Sequence, residues 1–219
     1  MSSPRKFYPL FLDITGSRAV VVGGGPVAAR KAGSLIEAGA DVTVISPALC
    51  PQMSMLVSEG RARHIARVYQ PGDLSGAAVV VASTDDPAVN EAVCADAKDA
   101  GALVNCVRPP DAGDFVVPST IRRGGLTVAI STSGGCPALT KKLRRDIEAF
   151  LGDEYGAYLE FLEEARGIIK ESVPDEAVRQ AILTRLVESD LSVSFRTDGT
   201  DAAHNKGRDM LATLIAGGA

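Results

Sequence analysis

The sequence has little of what metal sites, membranes and nucleic acids require. Its 219 residues include only two histidines and four cysteines. No cysteine stands in a C-x-x-C pair, so a structural zinc site has poor material. In a reducing compartment Cys50, Cys94, Cys106 and Cys136 are most simply free thiols. Cys136 precedes Pro137 at a predicted helix start, where a thiolate is favoured; a packed, inert thiol is the competing reading. Apolar runs such as Ala19–Val22 and Ala77–Ala82 fall far short of the roughly 20 residues a membrane helix needs, so no membrane span is expected. The start, Met1–Lys6, runs at once into Pro9 and Asp13 and lacks the apolar core of a signal peptide. A cytoplasmic location is therefore expected. Positive charge is not in excess either: the formal net charge is −4, which gives no bulk pull toward nucleic acid. No internal repeat is present. What remains is ordinary globular composition, 46% hydrophobic and 23% charged, which excludes disorder throughout. The length suits one well-cored domain with a smaller appendage.

The first half alternates between two kinds of segment. Arg18–Val22, Asp41–Ile45, Arg63–Val68, Ala77–Ala82 and Ala102–Val107 read as strands. Pro26–Ala38 and Pro87–Ala100 read as helices, closed by Gly39 and Gly101. Near-continuous apolar strands separated by helices imply a parallel sheet covered on both faces, an α/β Rossmann-like architecture. The pattern changes after Pro109-Pro110. Phe115–Pro118 and Gly125–Ile130 are strand-like around the Gly124-Gly125 corner and predict a small second sheet. Helical segments follow at Pro137–Leu151, Tyr155–Lys170 and Asp175–Glu188. Ser189–Asn205 is polar and predicts a loop, with a short last helix near Arg208–Ile215.

Val20-Val21-Val22-Gly23-Gly24-Gly25-Pro26-Val27-Ala28 is a strand, a tight turn and a helix start. Read as G-x-G-x-x-A, it fits the dinucleotide fingerprint. Gly23 makes the turn, Gly25 leaves room for a pyrophosphate, and Ala28 lets the helix pack close to the strand. Pro26 suits the first helical turn, where its missing N–H costs nothing. The exposed N–H groups and the helix dipole then favour a phosphate. A glycine triplet also serves turn shape alone, but here both flanking elements are present. The second strand ends Val44-Ile45-Ser46-Pro47 without the carboxylate that usually grips the adenosine ribose. Ser46 is the candidate replacement. No arginine stands there to favour the extra phosphate of NADP, so NAD is the expected cofactor.

The ordered motifs then resemble a family. Pro9-Leu-Phe11, Gly23-Gly-Gly-Pro-Val-Ala-Ala-Arg-Lys31, Ala38-Gly-Ala-Asp-Val-Thr-Val44 and Ser83-Thr-Asp-Asp86 with Asn90 come first. Val104-Asn105, Phe115-Val-Val-Pro118, Ala129-Ile-Ser-Thr-Ser-Gly-Gly-Cys-Pro137 and Leu143-Arg144 complete the series. It is similar to the precorrin-2 dehydrogenase of siroheme synthesis, free-standing or as the N-terminal part of siroheme synthase, over roughly Pro9 to Leu151. The resemblance implies that precorrin-2, a reduced tetrapyrrole with eight carboxylates, loses a hydride to NAD and becomes sirohydrochlorin. Some relatives also insert ferrous iron. It implies a homodimer and three regions: an NAD-binding domain over 1–112, a small sheet and helix for dimerisation over 113–150, and a helical region over 151–219.

By position, the resemblance places Pro26 and Val27 at the pyrophosphate, Pro47 and Ala48 beside the adenosine, and Thr84, Asp85 and Asp86 beside the nicotinamide half. Asp85-Asp86-Pro87 also reads as an ordinary helix cap. Ser131 and Thr132 match residues near the tetrapyrrole pocket, though a strand-end turn explains Thr132 equally well. Lys141, Lys142, Arg144 and Arg145 read as a solvated face, or as cations, Lys141 first, that meet a polycarboxylate. One departure matters. The family's N-x-x-D, whose aspartate is its proposed catalytic and chelation residue, here reads Asn105-Cys106-Val107-Arg108. In one reading Asp111 or Asp114 supplies the missing acid. In a second, no dedicated base is needed and Arg108 binds a substrate carboxylate. In a third, the protein binds NAD or a tetrapyrrole without turnover, as a sensor or carrier. Iron insertion is not expected, because arginine cannot accept a pyrrole proton and repels a cation. A dehydrogenase for a small metabolite is a weaker rival: His204 lies in a polar tail, and His64 reads as packed or surface-exposed.

Overall fold

The valine-rich runs form strands because β-branched side chains fit a pleated, buried surface. In the computed structural model, which describes residues 6–217, the first half runs β1 (Arg18–Val22), α1 (Pro26–Glu37), β2 (Asp41–Ile45), α2 (Pro51–Ser58), β3 (Ala62–Ile65), β4 (Val79–Ala82), α3 (Pro87–Asp99) and β5 (Leu103–Cys106). Met1–Arg5, part of the N-terminal stretch read above, lie outside the described residues. The five strands form one parallel sheet in the order β3-β2-β1-β4-β5. The parallel Rossmann-like sheet expected from the sequence is therefore present. Val21 of β1 lies between Val44 of β2 and Val81 of β4. The winding reverses between β1 and β4, and an open α/β sheet forms its ligand crevice beyond the strand ends at such a point.

Alternate side chains serve the two faces. Ala19, Val21, Val42, Val44, Val79 and Val81 pack with Ala28, Ala29 and Ala32 of α1. Val20, Val22, Val80, Val104 and Cys106 pack with Val93, Cys94 and Ala97 of α3. Each fully buried valine contributes about 1.5–3 kcal/mol, and burial on both faces explains why the strands do not alternate with polar residues.

Two sequence expectations for this half need correction, and α2 adds an element that the sequence pattern does not show: eight residues opening at Pro51 give too short a periodic signal, yet Met53 is fully buried. Strand β3 stops at Ile65 rather than Val68, since Arg67 turns away to pair with Asp73. Phe115–Pro118 is not a strand. Asp114 N–H donates to Val104 O at 2.7 Å, and Phe115 packs on the core beneath α1.

The chain divides into two compact units between Val117 and Pro118. The second holds an antiparallel hairpin, β6 (Ser119–Arg123) and β7 (Leu126–Ile130), then α4 (Pro137–Phe150), α5 (Glu154–Ser172), α6 (Glu176–Glu188), α7 (Leu191–Thr197) and α8 (Thr200–Gly217). Gly124 turns the hairpin with φ +54° and lies so near α5 that a Cβ would stand 3.2 Å from Gly156 Cα. The loop expected over Ser189–Asn205 is instead α7 and the start of α8. Leu191, Phe195 and Ala203 are buried with Phe161 of α5, whose ring centroid lies 6.0 Å from that of Phe195. That burial outweighs the loop preference of the serines and aspartates.

Candidate functional site

The three glycines after β1 do three different things. Gly23 has φ +124°, and a Cβ there would lie 2.3 Å from Ser83 O at the end of β4. A Cβ on Gly24 would lie 1.9 Å from Ala48 O in the loop after β2. Both positions are closed by neighbouring backbone. Gly25 is the opposite case: a Cβ there meets nothing within 4 Å. It is the N-cap of α1, has no side chain to bond the first-turn N–H groups, and is followed by Pro26. The result is an open cradle at a helix N-terminus, directed by the dipole toward an anion. A pyrophosphate fits it. Pro26 and Val27 are exposed at its edge, while Ala28 is fully buried and lets α1 sit against the sheet.

The flanking turns are braced from below. Ser46 is buried and its hydroxyl donates to Ala48 O at 2.7 Å. Its proton thus holds the loop that carries the exposed Pro47 and Ala48. His64 on β3 meets Ser46 O at 2.9 Å through Nε2, a packing role from the neighbouring strand. On the other side, Asp86 caps α3 by accepting from Ala88 N–H at 2.9 Å, and Asp85 is exposed. Thr84 is held by Asn90, a fully buried side chain to which the sequence motifs assign no role. A polar residue on the inner face of α3 was the available signal.

Beyond β5, Arg108 is exposed, its peptide bond to Pro109 is cis, and Asp111 is exposed in a 3-10 turn, Pro110–Ala112. Asp114 is committed differently: its Oδ2 accepts from Val104 N–H at 3.1 Å. Asn105 is buried, and its Nδ2 donates to Phe115 O at 2.8 Å. These bonds fasten the segment after Arg108 to β5. The first unit thus brings Gly23–Val27, Ser46–Ala48 and Thr84–Asp86 to the carboxyl ends of β1, β2 and β4, as the sheet order requires.

In the second unit, Ser131 and Thr132 directly follow β7. Ser131 Oγ accepts from Ser133 N–H at 3.1 Å, and Thr132 Oγ1 accepts from Cys136 N–H at 3.2 Å. Both hydroxyls are engaged in the turn that leads into α4. Lys141 is exposed and makes no ion pair among the described residues, whereas Lys142 pairs with Asp146 and Arg144 with Glu148. Cys136 is exposed and Cys50 half-buried. Cys94 is buried on α3, and its thiol is pushed up to about 12, first by burial and then by a hydrogen bond with Cys106.

Comparison with known proteins agrees with this geometry. An NAD(P)-binding family model matches residues 10–119, the central model of sirohaem biosynthesis proteins matches 123–149, and a SirC C-terminal domain model matches 155–197. The siroheme synthase of Thioalkalivibrio sulfidiphilus is 36% identical over 94% of this chain and 42% of its own length. That of Chromobacterium violaceum is 36% identical over 98% of this chain and 45% of its own. The chain therefore spans less than half the length of these curated relatives. A solved structure of SirC, a precorrin-2 dehydrogenase, superposes with a TM-score of 0.78 at 28% identity, covering 95% of this chain and 98% of that one. With its glycine cradle at the switch point and these matches in chain order, the chain belongs to the precorrin-2 dehydrogenase and siroheme synthase N-terminal, NAD-binding family.

Proposed function

We propose that this chain is an NAD-dependent dehydrogenase that oxidises precorrin-2 to sirohydrochlorin in siroheme biosynthesis. The likeness to a precorrin-2 dehydrogenase along nearly the whole of both chains carries the reading. The open cradle at Gly25 supports it, because an uncovered helix start with free space beside it suits a phosphate. NAD, when bound, supplies the hydride acceptor. The N–H groups after Gly25 would hold its pyrophosphate, Ser46–Ala48 its adenosine and Thr84–Asp86 its nicotinamide half. Arg108 binds a substrate carboxylate through its planar fork. One of the two nearby acids, Asp111 or Asp114, takes the proton that leaves the oxidised macrocycle; Asp114 also accepts from the backbone of β5. Iron insertion is slow or absent, since a cation occupies the place of the family's aspartate.

The test is direct: purified protein, precorrin-2 and NAD, with the sirohydrochlorin spectrum as readout. No protein-dependent change at high enzyme concentration sinks the proposal. Rapid protein-dependent siroheme formation from sirohydrochlorin and ferrous iron would overturn the statement on iron. Arg108 in place of the family's acid favours a second reading, a module that binds NAD or a tetrapyrrole without turnover. Saturable NAD binding with no oxidation in the same assay would select it.

The working unit we propose is a cytoplasmic homodimer joined through 113–150. Helix α4 supports the dimer. Leu139, Leu143, Ile147 and Phe150 fall on one face at helical spacing, yet none of its residues is buried within this chain and Phe150 is 71% exposed. An amphipathic helix normally buries its apolar stripe. Among the described residues no helix is long and apolar enough to cross a membrane.

A further inference from the structure

We infer that Asn90 is a positioning residue for the nicotinamide half of the cofactor site, an inference that rests on the proposed binding of NAD across the switch point. Its carboxamide is fully buried and makes three contacts with one residue. Thr84 N–H and Thr84 Oγ1 each lie 2.9 Å from Asn90 Oδ1, and Asn90 Nδ2 donates to Thr84 O at 3.0 Å. The Thr84 hydroxyl is also 3.0 Å from Asp86 O. The turn after β4 is therefore held at its amide, its carbonyl and its side chain at once.

Helix α3 does not need this clamp in order to start. Asp86 already caps it, and Pro87 occupies its first position. The surroundings do not call for a polar group either: Val93, Cys94 and Ala97 of the same helix are buried among hydrophobic neighbours. A buried carboxamide is costly unless its bonds are made, and these are made to the turn beside the cradle. Ser83, next to Thr84, stands where a Cβ on Gly23 would be 2.3 Å from its carbonyl oxygen. The turn thus abuts the glycine cradle, and a shift of Thr84 alters the spacing between the pyrophosphate site and the end of β4. Asn90 is fully buried and acts through Thr84 rather than by touching a ligand.

The nicotinamide half lies on the β4 side of the cradle and the adenosine half on the β2 side. Loss of the clamp should therefore separate NAD from ADP, which reaches only the cradle and the β2 loop. Calorimetric titration of the folded full chain with NAD and with ADP makes the comparison. In Asn90→Ala the affinity for NAD is expected to fall about tenfold while that for ADP changes by less than about twofold. Asn90→Asp, which keeps the acceptor for Thr84 N–H and loses the donor to Thr84 O, is expected to fall between, and it decides the matter if the alanine variant does not fold. Equal losses for the two ligands, or no loss for NAD, overturn the inference. If the unmodified chain binds no NAD, the proposed function falls as well; if it binds NAD and both variants match it, only the role of Asn90 falls.

Discussion

Gly24 and Gly25 are neighbours in sequence and opposites in structure. A methyl at Gly24 would press on Ala48 O at 1.9 Å, whereas one at Gly25 enters open space. Gly24→Ala is therefore expected to destabilise the fold by about 2–4 kcal/mol, a backbone collision with no flexible atom to yield. Gly25→Val should leave stability within about 0.5 kcal/mol and weaken NAD binding by more than about tenfold, because its side chain fills the pyrophosphate space. Denaturant titration and calorimetry separate the two, and a Gly25→Val protein with unchanged NAD affinity would falsify the cradle. The acids after β5 are told apart in the same way. Asp114→Ala removes the acceptor for Val104 N–H and should cost about 1 kcal/mol or more of stability. Asp111→Ala should lower kcat by about a hundredfold where Asp111 is the proton acceptor. The thiols differ too: Cys136 should react with a thiol reagent at pH 8 in the native protein, and Cys94, raised by burial, should not.

At the scale of elements, the segment between β3 and β4 depends on a carboxylate. Asp73 accepts from Arg67 Nη1 and Nη2 at 2.8 and 2.6 Å and from Gln70 N–H at 2.8 Å. The Arg67 guanidinium holds its carboxyl below the usual range. Its stabilising effect is thus complete above the unfolded carboxylate pKa near 4 and is lost as pH falls through the lower folded value. Urea denaturation at pH 7 and at pH 3 should show Asp73→Asn costing about 1–2 kcal/mol at the higher pH and less at the lower. An equal cost at both would remove the ion pair from the account. Helix α4 offers a different test. Leu139→Glu with Phe150→Glu puts two charges on the exposed residues of that stripe, and the dimer should dissociate in sedimentation while the second unit keeps its helical signal. A chain that is monomeric before substitution defeats the dimer proposal.

For the whole molecule, electrostatics set an expectation. The chain carries a net charge of −4 and the proposed substrate is a polycarboxylate, so long-range steering opposes encounter. Added salt should leave kcat/KM flat or raise it slightly. A steep fall with salt would mean that local cations such as Arg108 and Lys141 dominate the approach. Within the second unit, Phe161 is the hub of packing. Its ring lies 5.3 Å from that of His204, and a Cβ on Gly207 would come within 2.5 Å of it.

The sequence by itself determined the parallel sheet, its cofactor class and the place of the cradle. Local signals sufficed there: β-branched runs, glycine turns and a proline at a helix start act within a few residues. It also placed Arg108 where the family resemblance implies an acid. Tertiary structure decided the rest. That Gly23 and Gly24 shape the turn while Gly25 leaves it open depends on Ser83 and Ala48, which are distant in sequence. The Ser189–Asn205 stretch reads as loop by composition and becomes helix because Phe195 and Leu191 find a core. The tie of Asp114 to β5 and the grip of Asn90 on Thr84 were equally invisible, since a side chain's partner is set by how the chain folds back and not by its neighbours in the sequence.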